Sequence, residues 1–201
     1  MSKRNATLRQ YWVGIRLFLI MTVALGIVYP LVVTGVGQLI APAQANGSLI
    51  SVNGSVVGSS LIGQSFTDSD GVALPQWFQS RPSAAGNGYD GSASSGSNLG
   101  PNSDKLVQAI ADRKAAIAAS DGVDPASIPV DALTASASGL DPHISPEYAR
   151  EQVARVAAAR DLPEAEVSKL VESFVQGADL GYVGEPTVNV LQLNIALNAL
   201  K

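Results

Sequence analysis

The only histidine in the chain, His143, stands two residues after Asp141 and two before Ser145. A base beside a carboxylate that could orient it is part of the equipment of nucleophilic hydrolysis. The favoured reading of this spacing is structural. Asp141 and His143 would cap the turn that leads into a helix opened by Ser145 and Pro146. A nucleophile elbow, G-x-S-x-G, is not formed, because Gly63-Gln64-Ser65-Phe66 is followed by Thr67. One histidine and no cysteine do not supply a typical zinc site. The chain has neither a phosphate-binding G-x-x-x-x-G-K-[ST] loop nor a G-x-G-x-x-G turn after a strand. Backbone amides around Gly96-Ser97-Asn98-Leu99-Gly100 could form an anion nest, yet no Lys or Arg lies between Pro82 and Asp104. Turn chemistry is the expectation there. The alternative is an anchored extracytoplasmic hydrolase or ligand-binding module using this Ser/Asn-rich loop and His143.

The elements that must position these residues start from a membrane anchor. Residues 17–40, LFLIMTVALGIVYPLVVTGVGQLI, carry no charge, and none occurs between Arg16 and Asp68. As one helix this stretch would reach about 36 Å, against a hydrocarbon core of about 30 Å. Backbone groups in lipid must be bonded internally, which dictates a helix. Lys3, Arg4, Arg9 and Arg16 precede the span, and the next basic residue is Arg81. Positive residues stay inside, so residues 1–16 are expected in the cytoplasm and 41–201 outside, with Tyr11 and Trp12 at the interface. Ala41-Pro42-Ala43 and Ala43-Gln44-Ala45 match small-x-small cleavage sites, but the apolar run exceeds the roughly 7–15 residues of a signal-peptide core. A retained anchor is therefore expected. Thr22, Gly26, Pro30 and Thr34 recur every four residues, giving a small face suited to a partner helix.

Beyond the anchor, about 160 residues suffice for one domain with its own core. All seventeen acids and nine of the thirteen bases lie there, a net charge near −8, which argues against nucleic acid as a partner. The pattern predicts an α+β fold. Asn53-Gly54 between Leu49-Ile50-Ser51-Val52 and Val56-Val57 signals a hairpin. The Ser/Gly/Asn-rich residues 80–103 read as an ordered excursion pinned by Tyr89 and Leu99. A helix is expected over 103–119, capped by Ser103, with Leu106, Val107, Ile110 and Ile117 as its apolar stripe. Residues 128–134 form a short strand candidate. Asp161 and Glu164 have capping-box spacing, ahead of a helix with Val167, Leu170, Val171 and Phe174 on one face. Residues 189–200 fit a helix or a strand, and their Leu and Ala content favours helix.

Longer strings carry a more specific signal. Tyr29-Pro30-Leu31, Ala45-Asn46-Gly47-Ser48-Leu49, Gly63-Gln64-Ser65-Phe66-Thr67, Arg81-Pro82-Ser83-Ala84 and Gly96-Ser97-Asn98-Leu99-Gly100-Pro101 occur in this order. They are followed by residues 134–146, TASASGLDPHISP, and residues 184–191, GEPTVNVL. Together they resemble the C-subunit family of the Kdp potassium-transporting P-type ATPases over nearly the whole chain. The resemblance implies an accessory subunit without enzyme activity of its own. It would work beside a potassium-binding channel-like subunit and a P-type ATPase subunit, and raise the pump's affinity for ATP. The chain lacks the Asp-Lys-Thr-Gly-Thr phosphorylation string of such an ATPase. By the same resemblance Gln64 is the nucleotide-related residue, and Asn98, Asp141, His143 and Ser145 belong to structural or interface motifs. Ser65 stands where the family pattern usually has Asn. The charge asymmetry places Gln64 outside, away from cytoplasmic ATP, so the expected effect on ATP affinity is indirect.

Overall fold

The structure is a computed structural model describing residues 3–200, with side chains from Thr7 onward. Met1, Ser2 and Lys201, at the ends of the expected segments 1–16 and 41–201, lie outside the described residues, as do the side chains of Lys3 and Arg4. The chain divides into two compact units, residues 1–49 and 50–201.

The first unit is one long helix and a turn. Helix α1 (Lys3–Val23) passes through a π-helical turn (Ala24–Val28) into α2 (Tyr29–Ile40). Residues Thr7–Ile40 are long and apolar enough to cross a membrane. The helix begins well before the apolar run, and Arg9 and Arg16 lie on the part that precedes it. The wide turn has a cause in the sequence. Pro30 has no N–H, and its ring presses on the carbonyl four residues earlier, that of Gly26. Just ahead of it the Tyr29 N–H donates to the Ala24 carbonyl, five residues back, which is the π register. The ladder widens by one residue and the helix continues. At Ala41 the helix stops, and a single turn, α3 (Pro42–Ala45), follows. Gln38 and Asn46 close this corner with two reciprocal amide hydrogen bonds of 3.2 and 3.0 Å.

The second unit is α+β. Strands β1 (Leu49–Val52) and β2 (Ser55–Ser59) pair in a hairpin. Its turn residues Asn53 and Gly54 have φ of 51° and 81°, as the Asn-Gly signal requires. Residues 60–103 contain no helix and only the isolated bridge Thr67–Ala73. Helix α4 (Asp104–Asp121) follows and ends at Gly122 in the left-handed conformation. Then come α5 (Val130–Leu133), β3 (His143–Ile144), α6 (Pro146–Glu151), α7 (Val153–Arg160), α8 (Glu164–Phe174), β4 (Val175–Gln176), β5 (Thr187–Asn189) and α9 (Val190–Leu197). The second sheet is antiparallel with order β3-β5-β4, Ile144 and Val175 both opposing Val188. Val167 and Val171 of α8 and Val188, Val190, Leu193 and Leu197 of β5 and α9 are fully buried in one core with Phe78, Ile144 and Val156.

Several local expectations need correction. Residues 130–133 form a helical turn instead of a strand. Pro129 starts it, and Asp131 in its first turn accepts hydrogen bonds from both the N–H and the hydroxyl of Ser145 at 2.7 and 2.9 Å. Asp161 is not the start of a capping box. It ends α7 in the left-handed conformation (φ 55°), and Pro163 precedes α8. Ser103 occupies the cap position of α4 without a side-chain cap bond, and Val107 is 61% exposed, outside the apolar stripe. By contrast, the Ser145 hydroxyl accepts from the Tyr148 N–H at 3.1 Å and caps α6, with Pro146 at its first position.

A charged network runs beside the core. Arg155 and Asp121 form a nearly sealed ion pair at 3.0 Å, and Arg155 also donates to the carbonyls of Pro75 and Trp77. Glu151 belongs to this network, and its Oε1 is buried without a hydrogen bond. Burial first, then the negative charges of Asp121 and Asp131, raise its carboxyl to about 7, against the opposing pull of Arg155. The sign of the linkage follows. Between the ordinary carboxylate value and about 7 the folded chain holds a proton that the unfolded chain has released. The stability from Glu151 is thus complete at low pH and is lost as pH rises through about 7. Partial exposure tempers its size. Glu151→Gln is expected to raise the unfolding midpoint at pH 8 relative to the parent and to leave the pH 5 midpoint nearly unchanged. Equal shifts at both values would contradict this assignment.

Candidate functional site

The strings that are far apart in sequence meet on one side of the second unit. The Gly63 N–H donates to the Leu140 carbonyl at 2.9 Å. Gly63 is wedged between the Tyr89 ring and the backbone of Asp141, and a Cβ there would lie 2.7 Å from the Asp141 carbonyl oxygen. The Tyr89 hydroxyl donates to the Arg81 carbonyl at 2.7 Å. Burial, the largest influence, pushes this phenol up to about 12, so it remains a hydrogen-bond donor at physiological pH. The Ser83 hydroxyl donates to the Gly139 carbonyl at 2.6 Å and accepts the N–H groups of Ala85 and Tyr89. Ser136 N–H to the Pro82 carbonyl and Ser95 N–H to the Ser138 carbonyl, both 2.9 Å, complete the stitching. The excursion over residues 80–103 is thus ordered by backbone pairing with residues 136–140.

At the centre Asp141 bridges two cation-capable groups. Its Oδ2 accepts from Arg81 Nη1 at 3.2 Å, and its Oδ1 accepts from the His143 backbone N–H at 3.0 Å with His143 Nδ1 at 3.5 Å. Burial works against the charge of Asp141. Hydrogen bonds from His143 and the charge of Arg81 outweigh it, and the carboxyl is held below the usual carboxylate range. Gln64 points the other way. Its Nε2 donates to the Val57 carbonyl of β2 at 2.7 Å, and the Gln64 backbone carbonyl accepts from the Ser80 hydroxyl. Asn98 stands exposed at φ 50° and is not bonded to Asp141, His143 or Ser145. The anchor residues Thr22, Gly26, Pro30 and Thr34 all have exposed side chains or open space around them.

A family model described as KdpC, K+-transporting ATPase, c chain, matches residues 11–199. The chain belongs to the KdpC family. A potassium-transporting ATPase KdpC subunit of Kineococcus radiotolerans is 56% identical over 192 residues, covering 96% of this chain and 94% of that protein. Proteins of the same name from Beijerinckia indica and Caulobacter vibrioides are 51% and 54% identical over 181 and 180 residues. They cover 90% and 89% of this chain and 89% and 87% of their own lengths. As a member of the family the chain is a single-pass, non-catalytic accessory subunit of a potassium-transporting ATPase.

Within the corner, the polar groups are committed to one another. The Ser145 hydroxyl is used twice, as donor to Asp131 and as helix cap. His143 turns its Nδ1 to Asp141, and the Ser/Asn-rich loop does not place a serine hydroxyl on it. Among the described residues no group of three or more His, Cys, Asp or Glu could hold a metal ion. The family strings build a rigid corner in which Arg81, Asp141 and Tyr89 lock separate loops. Sequence reasoning passed over Arg81 and Tyr89 as partners of Asp141. One signal was available, because Arg81 is the sole basic residue between Arg16 and Lys105.

Proposed function

We propose that this subunit packs its anchor against membrane helices of the potassium-binding channel-like subunit and of the P-type ATPase subunit of a Kdp-type pump, and holds its domain over the extracytoplasmic mouth. Segments 1–16, 17–40 and 41–201 are then cytoplasmic, membrane-spanning and extracytoplasmic. The observation that carries the reading is the π turn at Ala24–Val28, which holds Gly26 at its centre and ends two residues before Pro30. In lipid, backbone groups loosened by a proline are met by neighbouring helices, and π turns in long helices concentrate at functional positions. Thr22, Gly26, Pro30 and Thr34 form the contact stripe. The remaining anchor side chains face lipid.

ATP is used by the complex. This chain raises the ATPase subunit's affinity indirectly, by fitting one pump state better than another. Gln64 acts as a tie between β2 and the body of the domain instead of as a nucleotide ligand, because its amide is committed to Val57. Asn98, Asp141, His143 and Ser145 shape the surface presented to the pump. The acidic domain adds a modest local attraction for potassium, screened beyond about 8 Å at physiological salt.

Two measurements test this. A mild-detergent pull-down of the tagged full chain from potassium-starved cells is expected to recover a P-type ATPase and a large channel-like protein; recovery of the chain alone would overturn the reading. A cysteine placed at exposed Ser97, in a chain with none of its own, is expected to react with an impermeant thiol reagent in intact cells. Labelling only after lysis would place the domain inside.

A further inference from the structure

A second feature of the domain is independent of the pump reading. Beside the locked corner lies an open cleft of about 730 Å³, bounded by residues 65–89, α4 and the start of α7. That volume is within the range of small-molecule sites. Its lining carries more basic than acidic side chains. Three of the nine basic residues beyond the anchor, Arg81, Arg113 and Arg155, line it, against one of the seventeen acids, Asp121. Two of these cations are already neutralised, Arg155 by Asp121 and Arg81 by Asp141. Arg113 differs. Its Nη1 donates to the Leu133 carbonyl at 2.8 Å, and among the described residues it forms no ion pair. It is half-buried, and burial lowers the affinity of its guanidinium for the proton. A partly desolvated charge that meets only a neutral carbonyl leaves favourable energy unclaimed. A guanidinium has five donors in a planar fork matched to an oxyanion. Phe66 and Ile117 supply an apolar wall of the same cleft.

We infer that this cleft binds a small organic oxyanion, its carboxylate or phosphate on the Arg113 guanidinium and its apolar body against Phe66 and Ile117. Arg81 and Arg155 keep their carboxylate partners, so Arg113 supplies the attraction for the anion. Binding should fall with rising salt, as for any partly exposed ion pair.

The test is isothermal titration of the detergent-solubilised full chain with benzoate, phenyl phosphate and benzylamine. Saturable binding of at least one of the two anions and none of the amine is expected. Arg113→Gln should weaken the anion at least about tenfold, the scale of one charged hydrogen-bonded contact. Lys105→Gln removes an equal charge on the exposed start of α4 and should leave affinity within about twofold. Ala116→Glu, at an exposed position of the cleft, should abolish binding by like-charge repulsion while the circular dichroism spectrum and unfolding midpoint stay those of the parent. Three results would overturn the inference: no saturable binding of either anion, equal losses in the Arg113 and Lys105 variants, or undiminished binding in a folded Ala116→Glu chain.

Discussion

Asn194→Ala is expected to lower the unfolding midpoint of the domain by on the order of 10 °C. The residue lies in the apolar helix α9 and is almost wholly buried. Its side chain performs a task normally left to a neighbouring strand. Oδ1 accepts the Phe78 N–H and Nδ2 donates to the Phe78 carbonyl, both at 2.9 Å. Gln152, also fully buried, does the same for the next residue. Its Oε1 accepts the Gln79 N–H at 2.6 Å, and its Nε2 donates to the Gln79 carbonyl at 3.2 Å. Phe78 is thereby carried into the core although residues 77–79 belong to no strand. Truncating Asn194 leaves two buried backbone groups without partners, at roughly 1–3 kcal/mol each. That is a large part of a typical total of about 5–15 kcal/mol. Asn194→Asp should be as damaging, since it sets an acceptor against the Phe78 carbonyl. Thermal unfolding followed by circular dichroism reads the effect. A shift below about 2 °C for both variants would show that water replaces the amide without penalty.

Gly139→Ala is the second large effect, roughly 2–5 kcal/mol from two separate costs. The backbone there has φ of 68°, which disfavours any side chain. A Cβ would also lie 2.6 Å from the Ser95 carbonyl oxygen and 2.8 Å from the Ala85 nitrogen, atoms of two other loops that cannot yield independently. Relief requires the stitching between residues 83–96 and 136–140 to open. The variant should therefore become sensitive to limited proteolysis within residues 85–100 before it loses global structure. Gly91→Ala, in open space without positive φ, is the matched control and should change stability by less than about 0.5 kcal/mol. Similar protease patterns for the two would remove the corner as the cause.

Features with local causes were legible in the sequence. Asn53-Gly54 fixed the hairpin because its turn needs positive φ at both residues. Ser145-Pro146 marked a helix start through one hydroxyl and one missing N–H, and the spacing from Val167 to Phe174 declared a buried face. The span announced itself by composition, but its internal π turn is a consequence of Pro30 that periodicity does not display. Residues 128–134 misled because so short an apolar run fits a strand as well as a turn of helix. The capping-box spacing at Asp161 competed with a left-handed helix stop at the same residue, and the stop prevailed. At the candidate site, Asp141 and His143 were legible because they are two residues apart. Arg81 and Gly63 reach Asp141 across 60 and 78 residues, a distance over which pattern carries no geometry. Asn194 offered a usable clue, being an amide on the same helix face as Val190 and Leu197.

The central strand of the three-stranded sheet, β5, is the last strand of the chain, and α9 follows it directly. Its neighbours β3 and β4 do not pair with each other, and each depends on residues 187–189. During synthesis the anchor emerges first, and β3 and β4 wait for their shared partner until residues 187–189 have been made. A nascent chain stopped short of β5 is expected to leave β3 and β4 unpaired. Closure of this sheet therefore hinges on three residues, Thr187 to Asn189, that join two segments more than thirty positions apart.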